Sequence, residues 1–165
     1  MTEALSRRLQ QATFATPAQE ALLSLLVAAN TLNDVMDEVC GKHEITRPQY
    51  NVLRILRGAQ PEGHARCEIA RRMLDRAPDV TRLVDRLQAR GLVKRKRGNS
   101  DQRQAVTCIT AKGLRLLETM QPEIEVYVDG LVARLSDADC HELARLCSLL
   151  FEEHPPVEAD ACIHE

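Results

Sequence analysis

Arg82 and Arg86 stand four residues apart, in a stretch whose apolar residues Val80, Leu83, Val84 and Leu87 recur at helical spacing. On a helix the apolar set turns inward, which leaves Pro78, Asp79, Thr81, Arg82, Asp85 and Arg86 on the opposite face. Guanidinium groups so placed can fork onto guanine edges or pair with phosphates. Thr81 can contact a phosphate or a thymine methyl, while Asp79 can accept from a cytosine amine or simply cap the helix. A second basic group follows in Lys94, Arg95, Lys96 and Arg97, and then the polar run Gly98-Asn99-Ser100-Asp101-Gln102-Arg103. Asp101 cannot neutralise all of these cations. It either holds an arginine extended or rigidifies the turn, and Arg103 at a hairpin tip suits a narrow, negative minor groove. The chemistry is recognition of a polyanion.

Charge distribution agrees. The whole chain carries −2, yet residues 47–103 carry +9 and the remainder −11. A basic middle in an acidic frame is the footprint of a nucleic-acid-binding module. Residue patterns for a nucleophile elbow, a phosphate loop or a zinc-protease helix do not occur, so an enzyme is not expected. A winged-helix protein-interaction module is the weaker alternative, because such modules often lose the basic face that this chain keeps.

The elements that must position these residues can be read around them. Thr16-Pro17-Ala18-Gln19 caps a helix that carries Leu22, Leu25, Leu26, Ala29, Leu32, Val35, Met36 and Val39 as far as Cys40-Gly41. Thr46-Arg47-Pro48-Gln49 opens a second helix, which stops at Gly58, and Ala59–His64 reads as a loop. Two short helices are predicted over Ala65–Met73 and Pro78–Arg90, with Gly91 as a left-handed C-terminal cap. Leu92–Arg97 and Gln104–Ile109 form a β-hairpin around the polar run. Thr110 begins a long helix in which Pro122 suggests a kink, and Ser136 caps a last helix to about Glu153. Pro155-Pro156 ends it, and a polar tail follows.

The fold class expected is mainly α with a small β-hairpin wing: a winged helix-turn-helix with a helical dimerisation region. Its division is an N-terminal dimerisation helix (1–45), a DNA-binding domain (46–110), C-terminal dimerisation helices (111–154) and a flexible tail (155–165). The first and last helices are apolar over a wide stripe outside the DNA-binding core, and such stripes need a partner. The start MTEALSRRLQ has no signal-peptide core and no apolar run is long enough for a membrane span. A cytoplasmic protein is expected.

Ile69-Ala70-Arg71-Arg72-Met73, the run from Ala77 to Leu87, Arg90-Gly91-Leu92-Val93, Asp101-Gln102-Arg103 and Thr110-Ala111-Lys112-Gly113 together resemble the MarR family of regulators. Ile45-Thr46-Arg47-Pro48-Gln49-Tyr50 resembles that family's second-helix entry. The resemblance covers about residues 20–150. It implies a homodimer with intertwined terminal helices, binding a pseudo-palindromic operator on double-stranded DNA, usually as a repressor released by a small molecule or an oxidant.

The switch is less legible. By resemblance, a small aromatic effector would bind near His43, Tyr50 and Arg54. Cys67, at a helix start beside Arg66, is the candidate for a thiol-redox switch. The peroxide-sensing branch carries its cysteine early in the first helix, where this chain has Ala21-Leu22-Leu23. The six cysteines are scattered singly and are expected to be free thiols. Cys40, His43 and Glu44 cluster as possible ligands, with His154, Cys162 and His164 near the other end, but the long helix after the wing lacks the histidine pair of the zinc-sensing branch. No metal and no cofactor is expected.

Overall fold

The computed structural model describes residues 3–75, 79–97 and 105–152, which fall into two compact units divided between Glu38 and Val39. The first unit holds α1 (Glu3–Leu9) and most of α2 (Pro17–Lys42). Helix α2 starts where the capping signal predicts. The Thr16 hydroxyl accepts from the Gln19 amide at 3.1 Å, and the Gln19 side chain reaches back to the Ala15 amide at 2.8 Å. Helix α1 was not foreseen, because seven residues hold too few apolar side chains to show a period.

The second unit is built around α3 (Arg47–Gly58), α4 (Arg66–Arg72), α5 (Val80–Ala89) and α6 (Ala111–Val132), which enclose Val52, Leu53, Leu56, Ile69, Leu87, Leu117 and Met120. Helix α3 is the hub, touching α4, α5, α6 and the sheet. Its start is the predicted capping box, with Thr46 Oγ1 accepting from the Gln49 amide and Gln49 Oε1 accepting from the Thr46 amide at 3.0 Å. Helix α5 ends as foreseen. Gly91 has φ of +70°, its amide donates to the Gln88 carbonyl at 2.8 Å, and the Leu92 amide donates to the Leu87 carbonyl at 3.0 Å. That paired closure satisfies carbonyls left over at a helix end, and it needs a residue at ease with positive φ.

The wing departs from expectation in one respect. It is a three-stranded antiparallel sheet of order β1-β3-β2, made from β1 (His64–Ala65), β2 (Val93–Arg97) and β3 (Ala105–Ile109). The sequence reading assigned His64 to a loop and gave only a two-stranded hairpin. A two-residue strand is too short to display alternation, so its pairing of His64 with Thr107 is invisible before folding. Helix α5 also begins two residues later than predicted, because Asp79 is its cap.

Thr110 caps α6 through its hydroxyl, which accepts from the Gly113 amide at 3.1 Å, and Pro122 lies within that helix. Gly113 admits no side chain, since a Cβ there would run into the Leu92 carbonyl. The last helix, α7 (Asp137–Glu152), has no buried residue. Leu143, Leu146, Leu149, Leu150 and Phe151 are all exposed on it, as are Leu22 and Leu26 on α2 and Val126, Val128 and Leu131 on α6.

Candidate nucleic-acid interface

Helix α5 divides cleanly. Val80, Val84 and Leu87 are buried and Leu83 half-buried, whereas Asp79, Thr81, Arg82, Asp85 and Arg86 are exposed. Asp79 Oδ1 accepts from the Arg82 amide at 3.1 Å, so its carboxylate is spent on closing the first turn of the helix. Arg82 and Arg86 project one turn apart from the same exposed face.

Two side-chain pairs fix this face, and sequence reading missed both. Arg66, the first residue of α4, donates from Nη1 to Thr81 Oγ1 at 3.2 Å. Asp85 Oδ1 receives Arg95 Nη2 at 2.6 Å, which ties α5 to the wing strand β2. Both members of that pair are about half exposed, so it contributes little stability, on the order of 0–1 kcal/mol. Its consequence is orientation: an ion pair links the helix to the described wing strand it packs against, and Arg95 is already matched by an acid.

The remaining wing cations are arranged by strand register. Lys94 lies opposite Cys108, Lys96 opposite Val106 and Arg97 opposite Ala105. Lys94 is exposed, and Lys96 donates from Nζ to the Pro61 carbonyl at 2.9 Å. Pro78, Asp101, Arg103 and the side chain of Arg97 lie outside the described residues.

At its other end α5 is anchored by Arg90. That guanidinium donates to the backbone carbonyls of Glu44 and His43, and Lys112 of α6 donates to the Arg90 carbonyl at 2.8 Å. Glu44 turns this corner with φ of +57°. The neighbouring His43 Nε2 lies 3.0 Å from Glu123 Oε1 of α6, and Lys42 Nζ lies 3.6 Å from the other oxygen of that carboxylate.

Of the three effector candidates, the structure brings two together. The Arg54 guanidinium lies 6.0 Å from the centre of the buried Tyr50 ring, and burial pushes the Tyr50 phenol up from its ordinary pKa. His43 is instead engaged with Glu123. Cys67 is half-buried in the first turn of α4, while Cys40 and Cys108 are buried. Among the described residues no group of three His, Cys, Asp or Glu side chains could hold a metal. No described helix is long and apolar enough to cross a membrane.

A helix pair whose second member shows a basic face, followed by a small sheet with a basic strand, defines a winged helix-turn-helix protein. Residues 45–105 match the MarR family. A MarR transcription factor from Planctomyces limnophilus is 36% identical and superimposes with a TM-score of 0.63, over 83% of this chain and 99% of that one. The chain belongs to the MarR family. The HTH-type transcriptional regulator MhqR of Bacillus subtilis is 28% identical over 74% of this chain and 85% of its own length. Sco3205 of Streptomyces coelicolor, a MarR family regulator solved in complex with DNA, shares the fold at a TM-score of 0.75 and 23% identity, over 88% of this chain and 97% of that one.

Proposed function

We propose that the protein is a sequence-specific DNA-binding transcription regulator that acts without catalysis. It binds a pseudo-palindromic operator as a homodimer and represses until a small ligand releases it. The observation that carries this reading is the exposed face of α5, where Thr81, Arg82 and Arg86 stand free of the core beside a wing strand bound to the same helix through Asp85 and Arg95. Arg82 and Arg86 read base edges in the major groove, Thr81 and Arg66 meet the backbone, and Lys96, Arg97 and Arg103 extend the contact along the wing. Asp79 caps the reading helix, and Pro78 and Asp101, which lie outside the described residues, are proposed as further DNA-facing positions.

In this reading the DNA-binding domain spans 46–110, and the exposed apolar stripes of the helices in 1–45 and 111–154 are covered by a second copy. Two-fold symmetry then sets the reading helices about one DNA turn apart. The effector is a small aromatic molecule received at Tyr50 and Arg54, where an exposed guanidinium over a ring offers both stacking and charge, with His43, engaged by Glu123, as the third residue of the proposal.

The test is binding of the purified protein to DNA from around its own gene and to a scrambled duplex, across a salt series. Arg82→Ala and Arg86→Ala should each cost about 1–3 kcal/mol and relax base preference. Arg103→Ala should weaken binding to all sequences and flatten the salt dependence by about one phosphate contact. Affinity and preference unchanged in both α5 variants would remove the reading.

A further inference from the structure

The end of the reading helix α5 is tied to two other elements, and those two are tied to each other. Helix α2 closes with the Ile45 amide donating to the Cys40 carbonyl at 3.0 Å and the Glu44 amide to the Gly41 carbonyl at 3.0 Å. Such a closure needs a residue in the left-handed region, and here Glu44, at φ of +57°, takes the place usual for glycine. Arg90, the C-terminal cap of α5, supports it. Its guanidinium donates to the Glu44 carbonyl and, at 3.3 Å, to the His43 carbonyl, and lies 3.5 Å from the Glu44 carboxylate. A cation of α5 thus serves the carbonyl end of α2. The same corner presents the His43 ring and the Lys42 ammonium to Glu123 of α6, at 3.0 and 3.6 Å. About three turns earlier in α6, Lys112 donates to the Arg90 carbonyl at 2.8 Å, and Gly113 lies against the Leu92 carbonyl. The end of α5, the corner and α6 close a triangle, all of it within the second unit.

Glu123 stands immediately after Pro122. A proline inside a helix offers no amide to the carbonyl four residues back, so the helix bends most easily at that turn. Before it α6 belongs to the core, with Gly113, Leu117 and Met120 buried; beyond it Val126, Val128 and Leu131 are exposed. The hold of the corner on Glu123 therefore fixes the direction in which the exposed half of α6 leaves the core, measured against α5. In a two-fold dimer joined through that half, the same angle sets the distance between the two reading helices. We propose that Arg90 and Glu123 are positioning residues that fix the half-site spacing the protein accepts, without touching DNA. The proposal rests on the homodimeric, operator-binding reading above.

The experiment starts from a duplex that the full-length parent selects out of a randomised pool. Its half-sites are then moved apart or together by one and two base pairs. The parent should lose about tenfold in affinity for the first base pair of altered spacing, a penalty comparable to one mismatched pair. Arg90→Gln and Glu123→Gln should each lose less than about threefold over that step while preferring the same half-site bases. A purely structural role would instead lower affinity at every spacing alike. Glu123 is partly exposed, so Glu123→Gln carries the test if Arg90→Gln melts early. Without DNA, amide spectra of Glu123→Gln should shift at Glu44, Arg90 and Gly91, on the far side of the corner. The proposal is overturned if the parent tolerates every spacing, if the folded variants keep its preference, or if the amide shifts stay within α6, Lys42 and His43. A pool from which the parent selects nothing removes the operator reading and the spacing role with it. The DNA-free spectra then show separately whether Glu123 acts on α5.

Discussion

Helices α5 and α7 are both amphipathic by sequence, yet they meet opposite fates. Val80, Val84 and Leu87 of α5 are buried, whereas in the longer α7 nothing is buried and Phe151 keeps 63% of its surface exposed. Periodicity reports that a helix has a face in need of cover; it does not report what supplies the cover. For α5 the cover comes from α3, α4 and β2 of the same chain. For α7, and for the exposed leucines of α2, a second copy of the chain is the occupant proposed above. Under the function proposed above, the described part of the DNA-binding face (the reading head) is built within one subunit, and the stripes are one half of an interface.

The strongest way to break this comparison is to charge the stripe. Leu143→Asp with Leu150→Asp places two carboxylates on one face of α7, seven residues apart. Sedimentation should show monomers, and operator affinity should fall about 100-fold or more as the second half-site contact is lost. Retention of a dimer would show that α7 is not part of the interface. A substitution in the reading head should do the reverse. Leu87→Ala leaves a cavity in a fully buried site and should lower unfolding stability by about 2–5 kcal/mol, with the oligomeric state unchanged below the transition. Chemical denaturation beside sedimentation separates the two outcomes. Gly91→Ala is a milder probe of the same head. It forces a Cβ into φ of +70° with open space around it, so only backbone strain acts, at about 1–2 kcal/mol. A thermal shift larger than that of Leu87→Ala would contradict this ordering.

What was legible in the sequence was local. The capping box at Thr46 and Gln49, the glycine closure at Gly91 and the inner face of α5 each depend on residues within a few positions of one another, and each is found in the structure. What was not legible was paired across the chain. Arg66 meets Thr81 over 15 positions, Arg95 meets Asp85 over 10, and Lys96 meets the Pro61 carbonyl over 35. Nothing in spacing or propensity marks such partners, because they become neighbours only after the sheet and helices are assembled. Counting wing cations against Asp101 alone therefore overlooked Asp85, and the described cations of β2 differ in their partners, Arg95 meeting Asp85 and Lys96 the Pro61 carbonyl.

The smallest expected effect lies at the start of α7, where the two ends of the comparison can be tuned apart. Asp139 Oδ2 accepts from the Ser136 amide at 2.9 Å and from its hydroxyl at 2.7 Å, while Ser136 Oγ accepts from the Asp139 amide at 3.2 Å. Hydrogen bonding from the Ser136 side chain, and then from its backbone, holds the Asp139 carboxyl below its ordinary pKa. A carboxylate with a lowered folded-state pKa supports the fold above its unfolded-state value and loses that support as pH falls through the lowered one. Amide exchange in the first turn of α7 should therefore quicken on acidification, and Asp139→Asn should quicken it at neutral pH and flatten the pH response. Exchange in α5 should not follow, because its own cap is Asp79 and its cover is internal. Coordinated loosening of α5 in the Asp139→Asn variant would mean that the reading head depends on α7, and that the two regions are not separable in the way their burial suggests.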